Sequence, residues 1–221
     1  LGIILMATFI GMLWTTLERP PLRTMGETRL WYSFFLLISG LFTYIRWRYR
    51  WIILFSTLLS TVFILINMLK PEIHDQTLMP ALQSGWFIPH VSVYMFSYAL
   101  MGCATLLAIA SLVRPNIGVD DAIERLLYGG LAFLSIGMLT GALWAKEAWG
   151  AYWSWDAKEA WAAAIWSLYL IAIHMTPSVM ATKSKKLYYI VIIVAFVALQ
   201  MCWYGVNYLP SAAESIHTYN Q

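Results

Sequence analysis

Seven apolar runs, at about 1–17, 30–45, 51–69, 91–113, 127–143, 159–175 and 187–206, are separated by stretches that carry Pro, Gly and charge. None alternates with the period of two expected of an outer-membrane strand, and their lengths approach the roughly 20 residues that a helix needs to cross a hydrocarbon core. The pattern predicts an all-α fold: a polytopic transmembrane helix bundle of about seven spans. The whole of 1–221 reads as a single integral membrane domain, with one unusual loop at 144–158.

Composition agrees. Of 221 residues, 61% are apolar and only 11% charged, against about 25% charged in an ordinary soluble domain. So few charges cannot clothe a globule of this size in water, so the lipid bilayer is the solvent for most of it. The net charge of +3, spread in short clusters, gives no support for nucleic-acid binding. Cys103 and Cys202 fall in separate apolar runs, which excludes a CxxC pair and makes a disulfide framework unexpected. The stretch from Leu1 to Leu17 lacks a basic leader and a small-residue cleavage site. It reads as a membrane span of a chain trimmed upstream, not as a signal peptide.

Basic clusters at Arg46-Trp-Arg-Tyr-Arg50 and Lys183-Ser-Lys-Lys186 anchor the orientation, because inner loops are enriched in Lys and Arg. With both inside, eight Lys and Arg lie inside and six outside, and the 144–158 loop faces outward.

Six of the twelve tryptophans fall between Trp144 and Trp166. A belt of interfacial anchors needs one or two aromatics per helix end and imposes no spacing. Trp144, Trp149, Tyr152, Trp153 and Trp155, packed around Gly150 and Asp156, suit a large flat apolar ligand with a few polar handles, since indoles stack on a macrocycle and glycine admits close approach. A porphyrin fits that description. Its iron needs axial ligands. His90, opening the fourth run in Trp86-Phe-Ile-Pro-His90, and His217, in the tail after the seventh, share the side of the tryptophan loop. His174 lies sixteen residues after Lys158, about 24 Å along a helix, and an intramembrane histidine is usually functional. His74, in a polar loop, is assigned to solvent. Asp156 either orients a histidine, accepts from an indole, or caps the sixth helix.

These residues carry a resemblance. Trp149-Gly-Ala-Tyr-Trp-Ser-Trp-Asp156, with Lys158-Glu159 and Trp161 after it, resembles the tryptophan-rich (WWD) signature of the cytochrome c assembly family, and within it most resembles the CcsA (ResC) branch of the System II pathway. Trp86 to Val91 and Ser215 to Tyr219 resemble the stretches bearing that family's two external histidines. His174 resembles the histidine of the helix after the tryptophan loop, and Arg19-Pro-Pro and Glu27 resemble the early loop. The likeness runs from about residue 18 to the C-terminus. Ala157 stands where the branch usually has Pro, and Ser215 where it usually has Gly.

The resemblance implies cytochrome c biogenesis in the bacterial inner (cytoplasmic) membrane, with the tryptophan loop toward the periplasm and the plastid thylakoid as the less expected equivalent. Haem b enters near His174, moves outward, and is held at the tryptophan loop with His90 and His217 as axial ligands. There the Cys-x-x-Cys-His segment of an apocytochrome c receives it through thioether bonds. The resemblance also implies a membrane partner, CcsB (ResB), within a holocytochrome c synthase complex, and His174 then needs a second iron ligand from elsewhere. Arg19, Arg23, Lys146 and Lys158 are candidates for the propionates. No residue reads as a nucleophile or general acid: Ser154 has no adjacent base, and Glu147 and Glu159 have no paired carboxylate. Two other functions remain open, a haem chaperone of the CcmC kind and a b-type electron-transfer subunit, although the latter wants pairs of intramembrane histidines. A third alternative is a structural subunit whose aromatics only anchor it.

Overall fold

The computed structural model describes residues 1–70, 80–115, 117–176 and 185–209. Seven α-helices account for nearly all of these: α1 (Gly2–Leu17), α2 (Met25–Trp47), α3 (Arg50–Leu69), α4 (Phe87–Val113), α5 (Asp120–Trp149), α6 (Ala157–His174) and α7 (Lys185–Trp203). Each apolar run of the sequence lies on one helix, and no strand occurs among the described residues. The chain is an all-α bundle, and α3, α4, α5 and α7 are each long and apolar enough to cross a membrane.

Local chemistry sets the helix ends. Thr24 caps α2 and Glu27 completes a capping box. The helix closes at Arg48, whose left-handed φ of 63° turns the chain into α3 after a single further residue. In the loop before α2, the fully buried Glu27 carboxylate takes both Nη groups of Arg19, at 3.0 and 2.8 Å, and the Arg23 backbone N–H at 2.6 Å. The Arg19 guanidinium is thus committed to Glu27. Burial, and secondly the neighbouring Arg19, lower the pKa of Arg23 from its ordinary value.

The hub of the bundle is α4. In its most apolar stretch 67% of the residues are buried, against 17% in α3, and it packs against α2, α3, α5 and α7. Small residues make this possible. Ala99, Ala104 and Ala108 of α4 are fully buried. Across the seam, Gly130 and Gly137 of α5 sit where a Cβ would come within 3 Å of Met101 and Tyr94. Without a hydrophobic drive between helices in lipid, such close backbone approach and interhelical hydrogen bonds supply the cohesion. Ser97 donates to Gly130 O (2.7 Å) between α4 and α5. Between α2 and α3, Ser33 and Ser60 each donate to the other's carbonyl, and Arg29 Nε donates to Asn67 Oδ1 at 2.6 Å.

Helices α2, α4 and α5 start four to seven residues before the expected runs, and the end of α5 differs in the way that bears most on the tryptophan loop. The stretch 144–149, read as loop, is the last turn and a half of α5, and the connection to α6 is only 150–156. Aromatic side chains do not stop a helix. Gly150 does, with φ 82°, while Lys146 reaches back to its carbonyl at 2.8 Å.

Candidate functional site

The end of α5, the start of α4 and the start of α6 meet at one end of the bundle. His90 sits in the first turn of α4, which tolerates Pro89 because no intrahelical bond is needed from that N–H. Its Nδ1 lies 2.8 Å from Gly137 O on α5. A carbonyl only accepts, so Nδ1 carries the proton, and in the neutral ring Nε2 holds the lone pair. Beneath the imidazole is Gly141, one turn on from Gly137, where a Cβ would lie 2.6 Å from His90 Cε1. The ring is stacked on Trp144 (centroids 5.4 Å apart, planes at 28°) and meets Tyr94 edge-on at 4.5 Å.

Trp144 is itself fixed. It is 3% exposed, its Nε1 donates to Ala81 O at 2.8 Å, and Phe87 and Trp149 contact its ring edge-on at 5.1 and 4.8 Å. Ser84 donates to Glu147 Oε2 at 2.7 Å. The 3-10 turn Pro80–Gln83 and the residue that follows it are thereby tied to α5 directly above the histidine.

The 150–156 connection is organised by Glu159, a residue that sequence reasoning set aside for want of a paired carboxylate. Buried at 8% exposure, its Oε2 accepts from Ser154 N (2.7 Å), Ser154 Oγ (3.2 Å) and Asp156 N (3.3 Å). Asp156 Oδ1 accepts from Glu159 N at 2.9 Å, which completes a capping box on α6. The signal was present in the three-residue spacing of the two acids. This assigns Asp156 the capping role. The tight turn sets Trp155 at φ 59° and leaves its indole 71% exposed, in edge contact with Trp153 at 5.6 Å. Trp153 Nε1 is buried without an acceptor among the described residues. Tyr152 is exposed beneath the Lys146 ammonium, 5.4 Å from its ring centroid.

The structure therefore brings His90, Trp144 and Trp149 into one cluster, with Trp153 and Trp155 as a second pair on the adjoining turn. It also shows two partners missed earlier, Gly137 and Gly141, whose four-residue spacing on α5 is a small-residue seam. His174 is far away. It ends α6, about 27 Å along the helix from Asp156, exposed, with Nδ1 2.8 Å from Leu170 O. His217 and His74 lie outside the described residues, and the described residues hold no cluster of three or more metal-ligating side chains.

Comparison with known proteins bears directly on this site. The family model described as "Cytochrome C assembly protein" matches residues 22–213, which takes in the His90 cluster, the 150–156 turn and His174. The chain belongs to the cytochrome c assembly protein family. A relative named cytochrome c biogenesis protein CcsA, from Chlamydomonas reinhardtii, is 36% identical over 74% of this chain and 48% of its own length. CcsA proteins from Liriodendron tulipifera and Oenothera argillicola are 32% and 28% identical, over 66% and 90% of this chain and 61% and 79% of their own lengths. The chain thus spans about half to four-fifths of these relatives. In this family member, the regular helices of the bundle serve to set one histidine and a tryptophan-bearing turn side by side.

Proposed function

We propose that this chain acts in cytochrome c assembly as a haem holder, in which His90 and His217 would hold the iron at the surface built by Trp144, Trp149, Gly150, Tyr152, Trp153, Trp155 and Asp156. The observation that carries the reading is the hydrogen bond from His90 Nδ1 to Gly137 O. It fixes the tautomer and the ring plane, as outer hydrogen bonds do for metal-bound imidazoles. The buried donor on Trp153, lacking an acceptor, suits a propionate oxygen. Haem b supplies the iron to be coordinated and the vinyl groups to which thiols add. The chain's residues do the rest: the backbone of α5 orients His90, the indoles exclude water, and the Asp156–Glu159 box holds the turn in place. Attachment consumes the two thiols of an apocytochrome Cys-x-x-Cys-His segment, one for each vinyl group. His174 at the far end supports an intake point for haem, completed by a ligand from CcsB. The reading puts the cluster on the outer face of the membrane, in the bacterial inner membrane or its plastid equivalent.

The test is the absorption spectrum of the purified full-length protein beside His90→Ala and His217→Ala. Each variant is expected to lose or loosen haem, with partial recovery on adding imidazole. Unchanged haem content and spectrum in both would overturn the ligand assignment. Coexpression with CcsB and a reporter apocytochrome tests the attachment step, for which covalent haem without any further factor is the expected result.

A further inference from the structure

At the other end of the bundle, a cleft of about 440 Å³ opens between α2, α4 and α5. Phe96, Leu100 and Phe133 form its apolar floor, and Arg46 and Arg125 stand at its mouth. Ser39, 1% exposed, lines the wall, and its hydroxyl has no hydrogen-bond partner among the described residues. A buried hydroxyl without a partner is costly unless something else satisfies it. Both guanidiniums lie near the Asp121 carboxylate. Trp47 Nε1 and Arg125 Nε both donate to Asp121, each at 2.8 Å, and Arg46 lies against the Trp47 ring, 5.3 Å from its centroid. One carboxylate thus faces two arginines. Among the described residues, the Arg46 guanidinium and the Nη groups of Arg125 make no hydrogen bond.

A cleft with an apolar depth, a polar spot on its wall and surplus cationic donors at its rim is complementary to an amphipath with an anionic head. The cleft is lined from α2, α4 and α5, and α4 and α5 are long and apolar enough to cross a membrane, so such an amphipath is present at high local concentration. The geometry points to a binding site for an anionic phospholipid: the phosphate between Arg46 and Arg125, and an acyl chain laid in the cleft past Ser39. Basic pockets between transmembrane helices take lipid head groups in this way.

The experiment is native mass spectrometry of the full-length protein with phosphatidylglycerol or phosphatidylcholine added in equal amounts. Each cation near an anionic head group contributes about 1 kcal/mol, about fivefold, so two give about 25-fold retention of phosphatidylglycerol over phosphatidylcholine. In Arg46→Gln/Arg125→Gln that preference falls to near unity. Gly129→Leu, which adds bulk to the cleft where a Cβ meets only Leu100 Cδ1 at 3.5 Å, weakens retention of both lipids with the arginines intact. Glycerol phosphate, a head group without chains, does not compete. Equal retention of the two lipids by the unaltered protein, a preference surviving the double arginine change, competition by glycerol phosphate, or displacement of the lipid by equimolar haemin would each overturn the assignment.

Discussion

Gly141→Ala offers the sharpest test of how the histidine is held. The added methyl would lie 2.6 Å from His90 Cε1 and 2.7 Å from Nδ1. Carbon atoms prefer 3.5–4.0 Å, so the overlap is about 1 Å. Backbone cannot yield on a helix packed this closely, so the imidazole moves and its bond to Gly137 O is lost. The bond contributes about 0.5–1.5 kcal/mol, and overpacking adds about 1–3 kcal/mol. Against this, alanine in place of glycine favours a helix by about 1 kcal/mol, so global stability should fall by about 0.5–3.5 kcal/mol. Haem affinity should respond more strongly: losing an outer partner of a ligating histidine typically costs 10–100-fold. Haemin titration followed by absorbance, alongside thermal unfolding by circular dichroism, separates the two effects. Gly11→Ala in α1, where nothing lies within 4 Å, is the control for helix propensity alone. Wild-type haem affinity in Gly141→Ala would refute the claim that this seam positions the ligand.

Glu159→Ala removes the acceptor shared by Ser154 and Asp156; hydrogen exchange of those two amides should accelerate, and stability fall by about 1–3 kcal/mol. Trp144→Phe keeps a ring against His90 but removes the bond to Ala81. It should cost about 1 kcal/mol in thermal unfolding and expose the 80–83 turn to proteolysis, with little effect on α6. Glu27→Ala leaves Arg19 without its carboxylate in a buried loop, and a loss of about 3–5 kcal/mol, read as a fall in folded yield and Tm, is expected.

The helices were legible because their apolar runs are long and bounded by charge, and because Thr24–Glu27 and Asp156–Glu159 are capping pairs at the right spacing. The end of α5 lies beyond the expected boundary because tryptophan and tyrosine are compatible with a helix, and the chain leaves it only at Gly150, whose left-handed φ ends it. His90 and Trp144 were both singled out from sequence, yet nothing in it tells that they stack, since 54 positions separate them along the chain. Partnerships that run through main-chain carbonyls, such as Gly137 with His90 and Ala81 with Trp144, leave no residue-type signal at all. The cleft below Ser39 was equally invisible, because its cationic rim comes from two helices that only packing brings together.

That His90 leans on a peptide oxygen has an evolutionary corollary. Any amino acid at 137 would still offer the acceptor, so what restricts that position is girth, enforced by Tyr94 lying 2.7 Å from where a first side-chain carbon would stand. Drift at position 137 is therefore policed by volume, and the imidazole keeps its bearing for as long as that volume stays small.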